Sequence, residues 1–161
     1  MLTYTTAPLE RDLTAIGPVK AVLYASSAAR DTDWVARVCD VLPDGRSMSI
    51  CQGILRARYR DSLERPALLQ PGQVYRFEVD LWSTAQVFQA GHRLRLEVTS
   101  SDLPRYDRNL NTGGPLYEET QGLATMNTIY HDALHASRVV LPVRAGRGPP
   151  VRALDSPPPT L

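Results

Sequence analysis

The sequence predicts an all-β fold of the sandwich or barrel type, and two patterns carry that prediction. Apolar and polar residues alternate with a period of two over 74–82 and 93–99, which turns one face of each strand to a core and the other to water. Further strand-like segments recur at intervals of roughly 8–12 residues with turn sequences between them, a spacing typical of sandwiches and barrels. No long helix is predicted, since 60–69 and 116–124 have the pattern of a single helical turn at most.

Each predicted strand begins or ends at a turn sequence. Pro43-Asp44-Gly45-Arg46 supplies the fixed φ and the positive φ that a tight reversal needs, and Pro71-Gly72 and Ala90-Gly91 open two further strands. One strand, 19–26, is apolar on both faces, which is typical of a central and buried position. The predicted strands are 19–26, 34–42, 47–55, 74–82 and 93–99.

Two polar segments interrupt this pattern in a chain of 161 residues, a length that suits one domain. The segment 100–114 is a long loop rich in Asp, Asn, Pro and Gly, and loops of this length in compact domains are often functional or packed against something. The segment 144–161 is rich in Pro and Gly and has little to bury. We therefore expect one domain over 1–143 and a disordered tail over 144–161.

The charge balance excludes some classes of function. The formal net charge is +1, from 18 basic and 17 acidic residues, which does not favour binding to nucleic acid or to an anionic membrane. The N-terminus has no basic and apolar leader pattern, and no apolar run approaches the ~20 residues of a membrane helix. The default expectation is a cytoplasmic location, with a signal on a longer precursor left open.

No catalytic machinery is recognisable. The string nearest to the nucleophile elbow G-x-S-x-G is Gly45-Arg46-Ser47-Met48-Ser49, which lacks the second glycine and lies in a predicted hairpin turn. The histidines His92, His131 and His135 have no partner that the sequence identifies, so surface or loop positions are the better interpretation.

Metal and cofactor sites are also not favoured. The segment 107–118 places oxygen ligands at alternate positions, as calcium prefers, but Thr112 stands where a glycine permits the sharp turn. A zinc site at His131, Asp132 and His135 would need a fourth ligand from elsewhere. We interpret both as ordinary polar loops and expect no metal and no cofactor.

The two cysteines lie equally far on either side of Gly45. In one hairpin register Cys39 and Cys51 would face each other, where a disulfide is geometrically feasible. Buried free thiols are the better interpretation for a cytoplasmic protein.

Two sets of side chains are candidates for binding at the surface. Arg56, Arg58 and Arg60 alternate along a segment predicted to be extended, which favours salt bridges or contact with another domain; a solvated edge strand protected by charge is an equally good alternative. Aromatic residues are candidates for sugar binding, although aromatics at strand ends commonly cap a core. These aromatic candidates are Trp34, Tyr59, Trp82, Tyr106 and Tyr117.

A series of strings follows in order along the chain and resembles one enzyme family. The strings are Asp31-Thr32-Asp33-Trp34, Asp40-Val41-Leu42-Pro43-Asp44-Gly45-Arg46, Gly53-Ile54-Leu55-Arg56-Ala57-Arg58-Tyr59-Arg60, Val87-Phe88-Gln89-Ala90-Gly91-His92-Arg93, Ser100-Ser101-Asp102-Leu103-Pro104-Arg105-Tyr106-Asp107-Arg108-Asn109, Asn111-Thr112-Gly113-Gly114, Tyr130-His131-Asp132 and Ser137-Arg138-Val139-Val140-Leu141-Pro142-Val143. Over about 2–143 the chain resembles the C-terminal domain of the CocE/NonD-type serine hydrolases, the group of cocaine esterase and X-Pro dipeptidyl-peptidase.

The resemblance implies a jelly-roll β-sandwich of about eight strands, similar to galactose-binding modules. In the family this domain packs on an α/β-hydrolase domain, which carries the Ser-Asp-His triad, and helps to shape and close the active site. No position here matches the triad, so no catalytic residue is carried over and the isolated chain is predicted to be inactive. The predicted function is therefore a non-catalytic domain of an ester- or amide-cleaving hydrolase; the alternative is a free-standing carbohydrate-binding module.

The resemblance also suggests partners. We expect an α/β-hydrolase domain, joined in the parent enzyme or absent here, and leave a homo-oligomer open. The family's jelly roll usually has further N-terminal strand material that is missing here, so one sheet edge is expected to be bare and open to pairing with another chain. The candidate interface residues are Arg56, Arg58, Tyr59, Arg60, Arg105, Tyr106, Asp107, Arg108 and Asn109.

This sequence departs from the family pattern at a few positions. Gln52 replaces a usual Asp, Trp34 stands where Phe is common, and Asp102-Leu103 stands where Asn-Phe is common. We expect these changes to alter packing or the polarity of an interface, not chemistry.

Overall fold

The computed structural model describes residues 1–144, and these residues contain eight β-strands and one 3₁₀-helix. The strands are β1 (Leu2–Thr5), β2 (Leu13–Ser27), β3 (Asp33–Val41), β4 (Ser47–Arg56), β5 (Tyr75–Phe88), β6 (Arg93–Thr99), β7 (Asn127–Tyr130) and β8 (Arg138–Val140), and the 3₁₀-helix is Ala57–Tyr59. No helix within residues 1–144 is long and apolar enough to cross a membrane.

The strands form two antiparallel sheets that pack as a sandwich. The first sheet has the order β1-β6-β3-β4, and the second has the order β5-β2-β7, with β8 also pairing with β2. The long strand β2 accommodates both short partners along one side, β7 near its C-terminal end and β8 nearer its middle. The all-β sandwich predicted from the alternation is confirmed.

A β-bulge explains why β5 runs beyond its predicted end. Pro18 pairs with Ser83 and Lys20 pairs with Asp80, so Leu81 and Trp82 together oppose one residue of β2. Because of the extra residue, the side chains that point into the core change from odd-numbered positions before the bulge to an even-numbered position, residue 88, after it. The sequence prediction ended at 82 because the period of two breaks at this position.

The core lies between the sheets, which approach closely where β4 crosses β5. A Cβ atom on Gly53 would lie 1.8 Å from the carbonyl oxygen of Asp80, so only glycine fits at this crossing. Fully buried side chains fill the space on either side of it, and the largest are Phe77, Phe88, Leu23 and Leu81.

The opposite side of the sandwich, between β1–β6 and β7–β8, opens on a mainly apolar cleft of about 310 Å³. Its walls include Tyr4, Leu94, Leu96, Ile129 and Val139. All four residues of β1 are exposed, and β1 is an edge of the first sheet. Pairing of this edge with another chain remains a prediction.

The last described residues belong to the second sheet. Val143 bridges to Ala15, and the N–H of Arg144 donates to the carbonyl of Thr14 at 3.0 Å. The predicted disordered tail lies outside the described residues from position 145 onward.

Candidate domain-interface site

Two buried aspartates hold the arginine-rich segment in place. Asp31 is 0 % exposed and Asp33 is 1 % exposed. Arg56, the last residue of β4, donates from Nε and Nη2 to the two carboxylate oxygens of Asp33 at 2.9 and 3.2 Å. Arg58 donates to Asp31 from Nε at 2.7 Å and from its backbone N–H at 3.0 Å. Each buried carboxylate therefore has a charged partner, and the hydrogen bond with Asp33 raises the pKa of Arg56.

The arginines do not lie on one face of an extended segment, so that part of the prediction is wrong. β4 ends at Arg56, and the chain then turns into the 3₁₀-helix, where the N–H of Arg58 bonds to the Asp31 carboxylate instead of a backbone carbonyl. The predicted salt bridges are present. Arg60 makes separate contacts: its guanidinium lies 4.5 Å from the centre of the Tyr75 ring and bonds to the carbonyls of residues 57 and 67.

The long loop 100–114 is attached to the same cluster. The Nδ2 group of Asn109 donates to both buried carboxylates, at 3.0 and 2.8 Å. Arg56 donates to the Asp107 carbonyl at 3.5 Å, and Arg58 donates to the Gly114 carbonyl at 3.0 Å. The loop is thus held by hydrogen bonds to the two buried carboxylates and to the arginines paired with them, which limits the conformations it can adopt.

The structure divides the predicted interface residues into two groups. Arg105, Asp107 and Arg108 are exposed on the outside of the loop, whereas the arginines of the 56–60 segment are occupied by contacts within the domain. Tyr59 and Tyr106 are half-buried. The two predicted segments meet around a cavity of about 190 Å³, lined among others by Arg56, Arg58, Asp107, Arg108 and Tyr117.

Comparison with known proteins identifies the family. Residues 1–140 match the family described as the X-Pro dipeptidyl-peptidase C-terminal non-catalytic domain. The chain belongs to this family. It is 42 % identical over 145 residues to cocaine esterase of Rhodococcus sp. (strain MB1 Bresler), covering 89 % of this chain and 25 % of that protein. It is 31 % identical over 160 residues to a putative serine esterase of Mycobacterium bovis, covering 89 % of this chain and 24 % of that one.

Solved structures give the same result for the fold. An α-amino acid ester hydrolase matches with a TM-score of 0.85 at 32 % identity, over 89 % of this chain and 25 % of that chain. An aminopeptidase from a Thaumarchaeota archaeon matches with a TM-score of 0.85 at 28 % identity, over 89 % of this chain and 26 % of that chain. The chain spans about a quarter of the length of these relatives and corresponds to the non-catalytic C-terminal domain of CocE/NonD-like hydrolases.

Two departures from the family pattern contact each other in the structure. Gln52 donates from Nε2 to Asp102 at 2.9 Å and accepts a bond from Nε of Arg37 at 2.7 Å. Arg37 lies 3.3 Å from the same carboxylate of Asp102. Arg37 therefore faces one amide and one carboxylate. The sequence shows the two changes separately, and only the pairing of β4 with the start of the loop joins them.

The structure gives two histidines a carboxylate partner. Nδ1 of His92 lies 2.9 Å from the buried carboxylate of Asp40, a partner that the sequence did not identify. His135 bonds to Asp132 within a turn, and His131 packs edge-on against Tyr4. No group of three or more His, Cys, Asp or Glu side chains in residues 1–144 is arranged to hold a metal ion. Sequence reasoning missed the His92 pair because 52 residues separate its members.

The cysteines are buried and free, as predicted. A register shift after Val38 places Cys51 opposite Val38 and Cys39 opposite Ser49, so the two do not form a cross-strand pair. Burial raises the pKa of both thiols, that of Cys51 to about 11. Both are therefore protonated and poorly nucleophilic at neutral pH.

The aromatic candidates for sugar binding are dispersed. Trp34 is 2 % exposed and packs on Phe77, with ring centres 5.5 Å apart. Trp82 is 70 % exposed and Tyr117 is 83 % exposed, but they line different depressions of the surface. The described residues therefore bring no two exposed candidate rings to one depression as a shared platform.

Proposed function

We propose that this domain docks on the α/β-hydrolase domain of an ester- or amide-cleaving serine hydrolase and helps to shape the active-site cleft, through domain or subunit contacts. The observation that carries the proposal is the anchoring of the loop 100–114. Asn109 and the paired arginines hold it from the inside on two buried carboxylates, while Arg105 and Arg108 project outward. Membership of the family and the length of the relatives support a catalytic partner in the same polypeptide.

A loop held in this way is suited to docking. Because its conformation is restricted before contact, less conformational entropy is lost when a partner binds. Exposed arginines bind carboxylates with defined geometry and steer partners of opposite charge. The partner surface opposite Arg105 and Arg108 is therefore expected to carry acidic side chains.

The residues closest to a hydrolytic motif form no hydrogen-bonded nucleophile and base within residues 1–144. Ser47 is exposed at the first position of β4, and Nδ1 of His92, just before β6, is bonded to the Asp40 carboxylate. This arrangement supports assigning the nucleophile and its base to the hydrolase domain. A free-standing sugar-binding module is less well supported, because Trp34 is buried and the exposed rings are separated.

The first experiment tests the separate chain. Purified protein is incubated with p-nitrophenyl acetate, with a dipeptidyl-proline p-nitroanilide and with a fluorophosphonate probe. We expect neither turnover nor labelling. Stoichiometric labelling with turnover would contradict the accessory role.

The second experiment places the chain in a relative. In a chimera, the 161-residue chain replaces the matched C-terminal quarter of the Rhodococcus cocaine esterase. We expect an active esterase that unfolds in one transition and is destabilised by Arg108→Glu. The matched control is Arg46→Glu, an exposed charge reversal at the far end of the β3–β4 hairpin from Arg56. Equal behaviour of the two variants would argue against docking through the loop.

A further inference from the structure

Trp82 is exposed and conformationally strained. Its side chain is 70 % exposed although it is the largest residue type, and its φ of 67° lies in the left-handed region. Glycine adopts such a φ without penalty, whereas a Cβ atom makes this conformation unfavourable. Glycine at this position would accordingly relieve the strain in the separate domain.

Contacts of the neighbouring residues maintain this strained backbone conformation. The backbone N–H of Trp82 donates to Oδ1 of Asp80 at 2.8 Å, and the carbonyl of Asp80 packs directly against Gly53 of β4. Neighbouring Leu81 is fully buried in the core. The bulge is therefore rigid, and the indole is presented outward by a fixed backbone.

The surroundings of the indole resemble the centre of a protein interface. Trp82 borders a depression of about 270 Å³ with Gln52 and Ser49 of β4, Ser83 of β5 and Arg105 of the long loop. Tryptophan and arginine are the residues most enriched at interface hot spots, where an apolar centre is surrounded by polar groups. Gln52 also bonds to Asp102 of the same loop, so the depression is continuous with the proposed docking loop.

We propose that Trp82 is the aromatic anchor by which this domain binds the hydrolase domain. The occupant of the depression is then a surface segment of that domain with an apolar centre and a carboxylate facing Arg105. The inference rests on the proposed function and adds a residue that no motif in the sequence singled out as an interface residue. The remaining three quarters of the relatives' length supply the occupant, and strain at a binding residue is retained because the complex, not the separate domain, benefits from it.

Trp82→Gly distinguishes backbone strain from docking when it is made both in the separate chain and in the chimera with the Rhodococcus cocaine esterase. In the separate chain we expect the Tm to be unchanged or raised by up to about 4 °C, because strain is relieved. In the chimera we expect thermal inactivation to become roughly 30-fold faster, the loss typical of a hot-spot residue. Trp82→Asn, which also tolerates a positive φ, should give the same loss in the chimera.

Leu134→Ala is the matched control, since Leu134 is 86 % exposed beside the other edge of the second sheet. Leu134→Ala should change neither the Tm of the separate chain nor the inactivation rate of the chimera. If the unsubstituted chimera is inactive or unfolds in two transitions, the proposed function itself fails. If that chimera is sound but Trp82→Gly behaves like Leu134→Ala, only the anchor is refuted. Retention of the chain on immobilised galactose that is lost in Trp82→Gly would assign the indole to a sugar and would also overturn the anchor.

Discussion

Asp31→Asn tests how the domain holds its long loop. The two oxygens of the buried Asp31 carboxylate accept three hydrogen bonds: from the backbone N–H of Arg58, from Nε of Arg58 and from Nδ2 of Asn109. Asparagine replaces one oxygen by an NH₂ group. In one orientation that group faces the Arg58 N–H, and in the other it faces both the guanidinium and Asn109. Either orientation sets donor against donor, and the guanidinium loses its charged partner.

The expected cost is large because the group is buried. Removing one partner of a buried ion pair costs about 3–5 kcal/mol of stability. For a chain of this size, each kcal/mol lowers Tm by about 2–4 °C, so Tm is expected to fall by roughly 6–20 °C. Thermal and urea unfolding followed by circular dichroism measure it. The same acid-to-amide change in the exposed Lys20–Glu78 pair, Glu78→Gln, is the control and should cost less than ~1 kcal/mol. Equal effects of Asp31→Asn and Glu78→Gln would show that the carboxylate is not buried and paired in solution.

Three further predictions follow from the packing. Gly53→Ala should lower the free energy of unfolding in urea by about 3 kcal/mol or more, because the new Cβ atom would clash with the Asp80 carbonyl. A stability close to that of the unsubstituted chain would mean that the sheets lie farther apart than described. Asn109→Ala should accelerate proteolytic cleavage within 100–114, whereas Arg108→Ala at an exposed neighbour should not. Equal cleavage rates of the two variants would show that Asn109 does not hold the loop. Burial raises the pKa of Cys51 from 9.0 to about 11, so its contribution to stability is intact below pH 9.0 and is lost as the pH rises through about 11. The stability difference between the unsubstituted chain and Cys51→Ala should therefore shrink from pH 8 to pH 11, and a constant difference would contradict the burial of the thiol.

Local pattern predicted the family and five of the eight described strands; the short strands β1, β7 and β8 were not predicted. The alternation of side chains reports the environment of each residue along its own strand, and it predicted β6 with its observed ends and β3 and β4 to within one residue at each end. β5 was predicted too short because it continues through the bulge, where its extra residue inverts the phase. β2 begins earlier than predicted, at Leu13, and Gly17 and Pro18 lie within it next to the bulge. The ordered strings led to the family that the comparisons confirm, since they record an arrangement of turns and strands in chain order.

The site depended on contacts between residues far apart in the chain. The alternating arginines predicted salt bridges, but their acidic partners at 31 and 33 and the turn that follows β4 arise from strand pairing. The Gln52–Asp102 hydrogen bond and the His92–Asp40 pair likewise form only where elements meet.

The all-β class, the five longer strands, the lack of a recognisable nucleophile elbow and the family could all be inferred from the amino-acid sequence, because each is expressed in local pattern. The tertiary structure alone decided which charges are paired and buried and which project outward. It also decided that Trp34 belongs to the core and Trp82 to the surface. The physical reason is that sheet register and the bulge determine the direction of each side chain, and neither is specified by the residues of one strand taken alone.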